Sequence, residues 1–124
     1  MSDNTIKVIL VQPHEKPVTI EIPNNLKGFQ QAVGGYIEFY DNEDGTSLIC
    51  DDEANLKYKD GNRYFDDGGI IAGDFIVVGT TEDGNCRSLT DAEVSKYMDK
   101  YADAPDISPA ETAADAGFTS FTFS

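Results

Sequence analysis

Apolar residues in the first part of the chain follow the pattern of β-strands. IKVILVQP (6–13) is almost continuously apolar, which predicts a strand covered on both faces. In VTIEI (18–22) the apolar residues alternate with polar ones, which predicts a half-buried strand paired with the first as a hairpin. YIEFY (36–40) and TSLIC (46–50) predict a second hairpin around the turn DNEDG. IIAGDFIVVG (70–79) predicts one more strand, in which Gly73 indicates a bulge or a close backbone approach.

Two further segments have the spacing of amphipathic helices. Asn24 or Asn25 can cap a helix over 25–34, which Gly34 would end in the left-handed conformation. Thr90 and Glu93 form the T-x-x-E capping box of a helix over 90–101, whose apolar residues recur every three or four positions. Residues 51–69 are polar and rich in turn formers.

These elements predict an α+β fold, with two short helices packed on a mostly antiparallel sheet of about five strands. The chain has 124 residues, of which 40% are hydrophobic, and this suits a single globular domain. We expect that domain to span residues 1–103. From 104 to 124 small and acidic residues predict a flexible tail, which ends in the Phe-rich sequence FTSFTFS.

The charge is strongly one-sided, with 23 acids against 9 bases and a formal net charge of −14. Residues 38–83 carry much of it, because they contain 13 acids and three bases. Such a surface repels nucleic acid and anionic lipid and attracts a basic protein. High acidity also raises solubility, so a role for the charge in solubility alone stays open.

Catalytic and metal-binding motifs do not occur in the sequence. There is no Walker loop, G-x-S-x-G, G-x-G-x-x-G or H-E-x-x-H, and the single histidine lies in the turn QPHEKP. An EF-hand alignment on Gly45 places Tyr40 where the first carboxylate ligand belongs. Cys50 and Cys86 form neither a zinc motif nor a redox motif. We therefore expect no enzymatic activity, no metal and no cofactor.

The N-terminus predicts neither a secretory signal nor a membrane anchor. Asp3 precedes a short apolar run, and there is no basic region in front of it. No apolar run approaches the roughly 20 residues that cross a bilayer. We expect a cytoplasmic protein that does not bind membranes.

Several short motifs in fixed order resemble a family of short proteins from phages and mobile elements of gut-type bacteria, a domain family of unknown function. The motifs are VGGYIE (33–38), SLIC-DDE (47–53), GNR (61–63), IIAGDFIVVG (70–79) and SLTDAE followed by KYMDKY. The resemblance covers about residues 5–101. It implies an accessory protein of mobile elements, some of which act on host defence systems, and it supplies no catalytic residues.

Acids interleaved with aromatic residues point to a protein-binding surface. Spaced carboxylates can imitate DNA phosphates, and aromatic side chains anchor interfaces. The expected partner is a basic, nucleic-acid-handling protein such as a defence nuclease, which the protein would inhibit in the manner of anti-CRISPR or anti-restriction proteins. The candidate partner-binding residues are Tyr36, Glu38, Tyr40, Asp41, Glu43, Asp44, Asp51, Asp52, Glu53, Asp66 and Asp67.

An alternative is a small module that sequesters a nucleotide signal. Its anion pocket would use Arg63 and Asn62 with the glycine turn Gly68–Gly69, because exposed backbone N–H groups and an arginine suit phosphate. The competing interpretation is that the glycines only form turns and that neighbouring acids hold the arginine.

Overall fold

The computed structural model describes residues 4–51, 61–65 and 69–107, and it confirms an α+β fold. The two helices are α1 (Leu26–Val33) and α2 (Asp91–Lys100). The strands are β1 (Thr5–Val11), β2 (Val18–Pro23), β3 (Ile37–Asp41), β4 (Thr46–Asp51), β5 (Gly61–Tyr64), β6 (Ile70–Ala72), β7 (Phe75–Thr80) and β8 (Cys86–Arg87).

The main sheet has six strands, and all its pairings are antiparallel. Five strands follow the order β2-β1-β7-β4-β3, and the short β8 pairs with β7. Both predicted hairpins are present, as β1–β2 and β3–β4. β1 and β4 flank β7, so the centre of the sheet is formed by strands that are distant in sequence.

A small second sheet departs from the sequence prediction. The sequence predicts one strand over residues 70–79, but this segment divides at Gly73, whose φ of +70° turns the chain between β6 and β7. β6 leaves the main sheet and pairs with β5, which lies in the segment expected to be polar turns. Polar residues can occupy β5 because Asn62 and Arg63 are buried with their side chains hydrogen-bonded.

The central strands β1, β4 and β7 are covered on both faces of the sheet. Alternate residues of each strand point to opposite faces, so each strand contributes side chains to two separate clusters. On one side α1 packs over a cluster that includes Val8, Ile49 and Ile76. On the other side lies a cluster that includes Leu48, Val77 and Ile71 of β6, together with Tyr97 and Tyr101 at the end of α2. Each such buried apolar side chain contributes about 1.5–3 kcal/mol, so the two clusters hold the layers together.

The ends of the helices follow the predicted signals. Asn25 Oδ1 accepts a hydrogen bond from Gly28 N at 2.7 Å, and Gly34 has a φ of +83° at the end of α1. At the start of α2, Thr90 Oγ1 accepts from Glu93 N while Glu93 Oε1 accepts from Thr90 N. The predicted capping box is therefore confirmed.

The described chain continues past residue 103, where we expected the tail to begin. Ile107 is buried and forms an antiparallel bridge with Gly61 of β5. Residues 108–124, including the Phe-rich sequence, lie outside the described residues. Neither α1 nor α2, the helices of the described part, is long and apolar enough to cross a membrane.

Candidate functional site

Five of the candidate partner-binding residues lie together on β3, directly before it, or in the turn that follows it. Tyr36 is 65% exposed just before the strand, and Tyr40 is 37% exposed within it. Glu38, Asp41 and Glu43 are also exposed. We call these residues and Phe39, which is 48% exposed, the β3 surface: Tyr36, Glu38, Phe39, Tyr40, Asp41 and Glu43.

The position of β3 in the sheet explains this exposure. β3 is the last strand next to β4, and no strand in the described part of the chain pairs with its other side. Tyr40 lies on the α2 side, where its ring is 5.0 Å from that of Phe65 and its hydroxyl donates to Glu38 Oε1 at 2.7 Å. Phe39 lies on the α1 side against Phe29. Both faces of this strand therefore present an aromatic ring beside acids.

The turn after β3 is held by its own hydrogen bonds. Asn42 N donates to Thr46 O, and Asp41 Oδ1 accepts from Glu43 N at 2.8 Å. Glu43 has a φ of +64°, a conformation that costs a residue with a side chain about 1–2 kcal/mol. Gly45 has a φ of +86°, as its position in the predicted turn requires. The turn thus presents Asp41 and Glu43 on a defined backbone.

Asp44, although it belongs to the same acidic turn, is bound to α2. Its Oδ2 accepts from Lys96 Nζ at 2.6 Å and from the Tyr97 hydroxyl at 2.7 Å. Its Oδ1 accepts from the backbone N–H and the hydroxyl of Thr46. Partial burial opposes ionisation, but the hydrogen bonds from Lys96, Thr46 and Tyr97 outweigh it and hold the pKa of Asp44 well below its ordinary value. Asp44 is a structural link between the turn and α2.

Arg87 makes a second link between the same turn and α2. Its two terminal nitrogens donate to the two carboxylate oxygens of Glu93 at 2.8 and 3.0 Å, and its Nη2 also donates to Gly45 O. The hydrogen bonds from Arg87 are the main cause that lowers the pKa of Glu93. Sequence reasoning missed Arg87, because only the capping role of Glu93 has a local sequence signal.

An open groove of about 470 Å³ lies between this turn and α2. β3 contributes Tyr40 to the lining, and α2 contributes Tyr97, Lys96 and Lys100. Phe65, which directly follows β5, also lines the groove. The turn contributes Asp41, Asn42 and Glu43, and Leu48 of β4 completes the lining. We call this feature the aromatic groove.

The residues of the alternative anion pocket are placed differently. Arg63 is 3% exposed, and its five N–H donors make five hydrogen bonds: to Tyr101 O twice, to Glu15 O, and to Asn62 O and Oδ1. Asn62 is also buried, and it donates to Val11 O and Gly73 O. These contacts hold β5 against the rest of the fold. Gly69 lies next to β6, and Gly68 falls outside the described residues.

The remaining candidate acids do not extend the β3 surface. Asp51 is 5% exposed, and a Cβ added to Gly35 would lie 2.8 Å from its Oδ2, so this carboxylate lies inside the fold against the backbone. Asp52, Glu53, Asp66 and Asp67 lie outside the described residues.

Two observations concern possible metal ligands and the Cys50 thiol in the described part of the chain. Among residues 4–51, 61–65 and 69–107, no three His, Cys, Asp or Glu side chains cluster closely enough to hold a metal ion. Burial, together with the negative charges of Glu38 and Asp51, raises the pKa of the Cys50 thiol to about 12. A thiol with that pKa is a poor nucleophile.

The chain belongs to the DUF3846 family, a domain of unknown function whose family model matches residues 6–102. This agrees with the resemblance to an uncharacterised family that the sequence motifs carry. No curated protein and no solved structure matches the chain.

Proposed function

We propose that this protein is a non-enzymatic binding module whose β3 surface contacts a basic protein. The observation that carries the proposal is a group of exposed aromatic rings beside the exposed acids Glu38 and Asp41. Phe39 and Tyr40 lie on the terminal strand, and Tyr36 lies directly before it. Aromatic side chains supply most of the energy at interface centres, while carboxylates steer a basic partner and select against others.

The acids around β3 differ in whether their carboxylates are available to a partner. Glu38, Asp41 and Glu43 are exposed, whereas Asp44 is committed to Lys96 and Tyr97. A partner would therefore meet acids fixed on a strand and a hydrogen-bonded turn. Pre-ordered groups lose little conformational entropy on binding, which favours affinity.

We further propose that the partner is a nuclease of a host defence system and that the protein comes from a phage or mobile element. The support is the excess of acids over bases and the motif resemblance described above. A basic channel built for nucleic acid would attract spaced carboxylates as it attracts phosphates. The protein would inhibit by covering that channel or a surface next to it.

The experiment is a panel of purified restriction nucleases and CRISPR effector nucleases, assayed for DNA cleavage and for binding of the protein. Measurements at about 0.1 M and about 1 M salt exploit the fall of the Debye length from about 10 Å to about 3 Å. We expect inhibition of at least one nuclease and clearly weaker binding at high salt. Inhibition of none, or binding indifferent to salt, would contradict the proposal.

A control distinguishes binding to the nuclease from direct binding to the DNA that the nuclease cleaves. The protein alone should not retard the DNA in a mobility assay, because its net charge of −14 repels phosphates. If the acidity serves only solubility, the nuclease panel stays active in its presence.

A further inference from the structure

We propose that the aromatic groove binds a nucleoside monophosphate, with the base against Tyr40 and Phe65 and the phosphate held by Lys96 and Lys100. This site is separate from the Arg63 pocket considered above, and it goes beyond the proposed partner binding. Its volume of about 470 Å³ falls within the range of about 300–1,000 Å³ that is usual for small-molecule pockets.

The aromatic part of the groove suits a flat ring. The rings of Tyr40 and Phe65 have centroids 5.0 Å apart and planes inclined at 54°, and Tyr97 adds a third ring to the lining. Every nucleobase has a π-face that stacks on such rings, so this part provides binding without selecting one base.

The α2 side of the groove suits a phosphate. Lys96 and Lys100 are four residues apart on one helix and therefore lie on the same face. Lys96 donates to Asp44 at 2.6 Å, but an ammonium has three N–H donors and can also donate to a ligand. The Lys100 ammonium lies 5.8 Å from the ring centroids of both Tyr97 and Tyr101, so it stays close to the aromatic lining.

The turn on the opposite side limits the charge of the ligand. Asp41 and Glu43 accept hydrogen bonds from amino groups and ribose hydroxyls, and they repel additional phosphates. The net charge of −14 acts in the same direction. Lys96 and Lys100 face Asp41 and Glu43, and Asp44 already pairs with Lys96. This balance of charge favours a nucleoside with one phosphate over inorganic polyphosphate.

The test is isothermal titration calorimetry of the purified protein with AMP, GMP, CMP and UMP, and with adenosine and inorganic phosphate. We expect at least one monophosphate to bind about tenfold more tightly than inorganic phosphate. Lys100→Gln should weaken nucleotide binding about tenfold, the size expected for one charge-assisted hydrogen bond, and should leave the weak binding of adenosine unchanged. Tyr40→Leu should weaken the binding of both nucleotide and nucleoside.

Matched controls lie outside the groove. Lys27→Gln changes an exposed lysine of α1, and Tyr64→Leu changes an exposed tyrosine that does not line the groove. Both should bind nucleotide like the wild type, and thermal unfolding of all four variants verifies their folding. The inference is overturned if none of the four monophosphates binds more tightly than inorganic phosphate, or if Lys100→Gln and Lys27→Gln have equal effects. The calorimetry contains no partner protein, so its result does not depend on the proposed binding to a nuclease. Either proposal can therefore fail without the other.

Discussion

The tripeptide Glu-Asp-Gly occurs twice, at 43–45 and at 82–84, and the two copies have different surroundings. Both end in a glycine with a left-handed backbone, with φ of +86° at Gly45 and +88° at Gly84. In the first copy Asp44 binds Lys96 and Tyr97, which are more than 50 positions away. In the second copy Asp83 accepts its hydrogen bond from the nearby Thr81 hydroxyl.

The comparison shows that acids in this protein differ in role even within identical tripeptides. Asp44 joins the β3–β4 turn to α2 and so positions one side of the aromatic groove. Asp83 is exposed in a turn that is held by hydrogen bonds among residues 81–85. Formal net charge alone would count both acids as equal parts of an acidic surface.

The largest expected difference between the two copies is in stability after removal of the aspartate. Asp44→Ala should lower the free energy of unfolding by about 2 kcal/mol, because it removes charge-assisted hydrogen bonds from a side chain that is 27% exposed. Asp83→Ala should leave stability close to wild type, because it removes an exposed contact. Urea denaturation measures both, and equal losses would contradict the distinction.

A smaller difference is expected for the glycines. Alanine at either position meets the unfavourable left-handed conformation, which costs about 1–2 kcal/mol. A Cβ at Gly45 would in addition lie 3.3 Å from Arg87 Nη2, whereas nothing lies within 4 Å of one at Gly84. Gly45→Ala should therefore be the less stable variant in thermal unfolding. A larger loss in Gly84→Ala would show that Gly45 lies in a more open environment than described.

The smallest expected difference between the two copies is in how the free energy of unfolding changes as the pH falls. The folded-state pKa of Asp44 lies below its ordinary value of 3.8, so its ionised form stabilises the fold above about pH 4 and loses that effect as the pH falls further. The unfolding free energy of Asp44→Asn should therefore decline less steeply than that of the wild type between about pH 4 and about pH 2. The hydrogen bond from the Thr81 hydroxyl also lowers the pKa of Asp83, but this carboxylate is exposed, so Asp83→Asn should change the slope less than Asp44→Asn does.

Local sequence predicted the elements and their ends but not the contacts between distant elements. Asn25, Gly34 and the Thr90–Glu93 pair have signals within three or four residues of the helix ends, and the structure confirms them. Gly73 carried a signal for irregular backbone, but whether a chain bulges or leaves the sheet depends on the β5 partner. Ile107 gave no signal of its burial, because its partner is Gly61.

For the candidate site, too, the sequence indicated the residues of one segment but not the contacts between distant segments. The sequence shows acids and tyrosines interleaved around β3, and residues 38–41 are all exposed because β3 is the terminal strand of the sheet. Other features depend on residues that are distant in sequence. They are the hydrogen bonds of Asp44 to α2, the burial of Asp51, and three of the five hydrogen bonds of Arg63. The aromatic groove combines β3, α2 and Phe65, so no single segment could have indicated it.

The most direct test of the proposed function compares the two turns in a nuclease that the wild type inhibits. One variant carries Asp41→Lys and Glu43→Lys, and the matched control carries Glu82→Lys and Asp83→Lys, with the same change of charge. Each pair includes one aspartate that accepts a hydrogen bond within its own turn. We predict that the first variant loses nuclease binding and that the control binds like the wild type. Equal binding by the two variants would contradict a partner surface on β3.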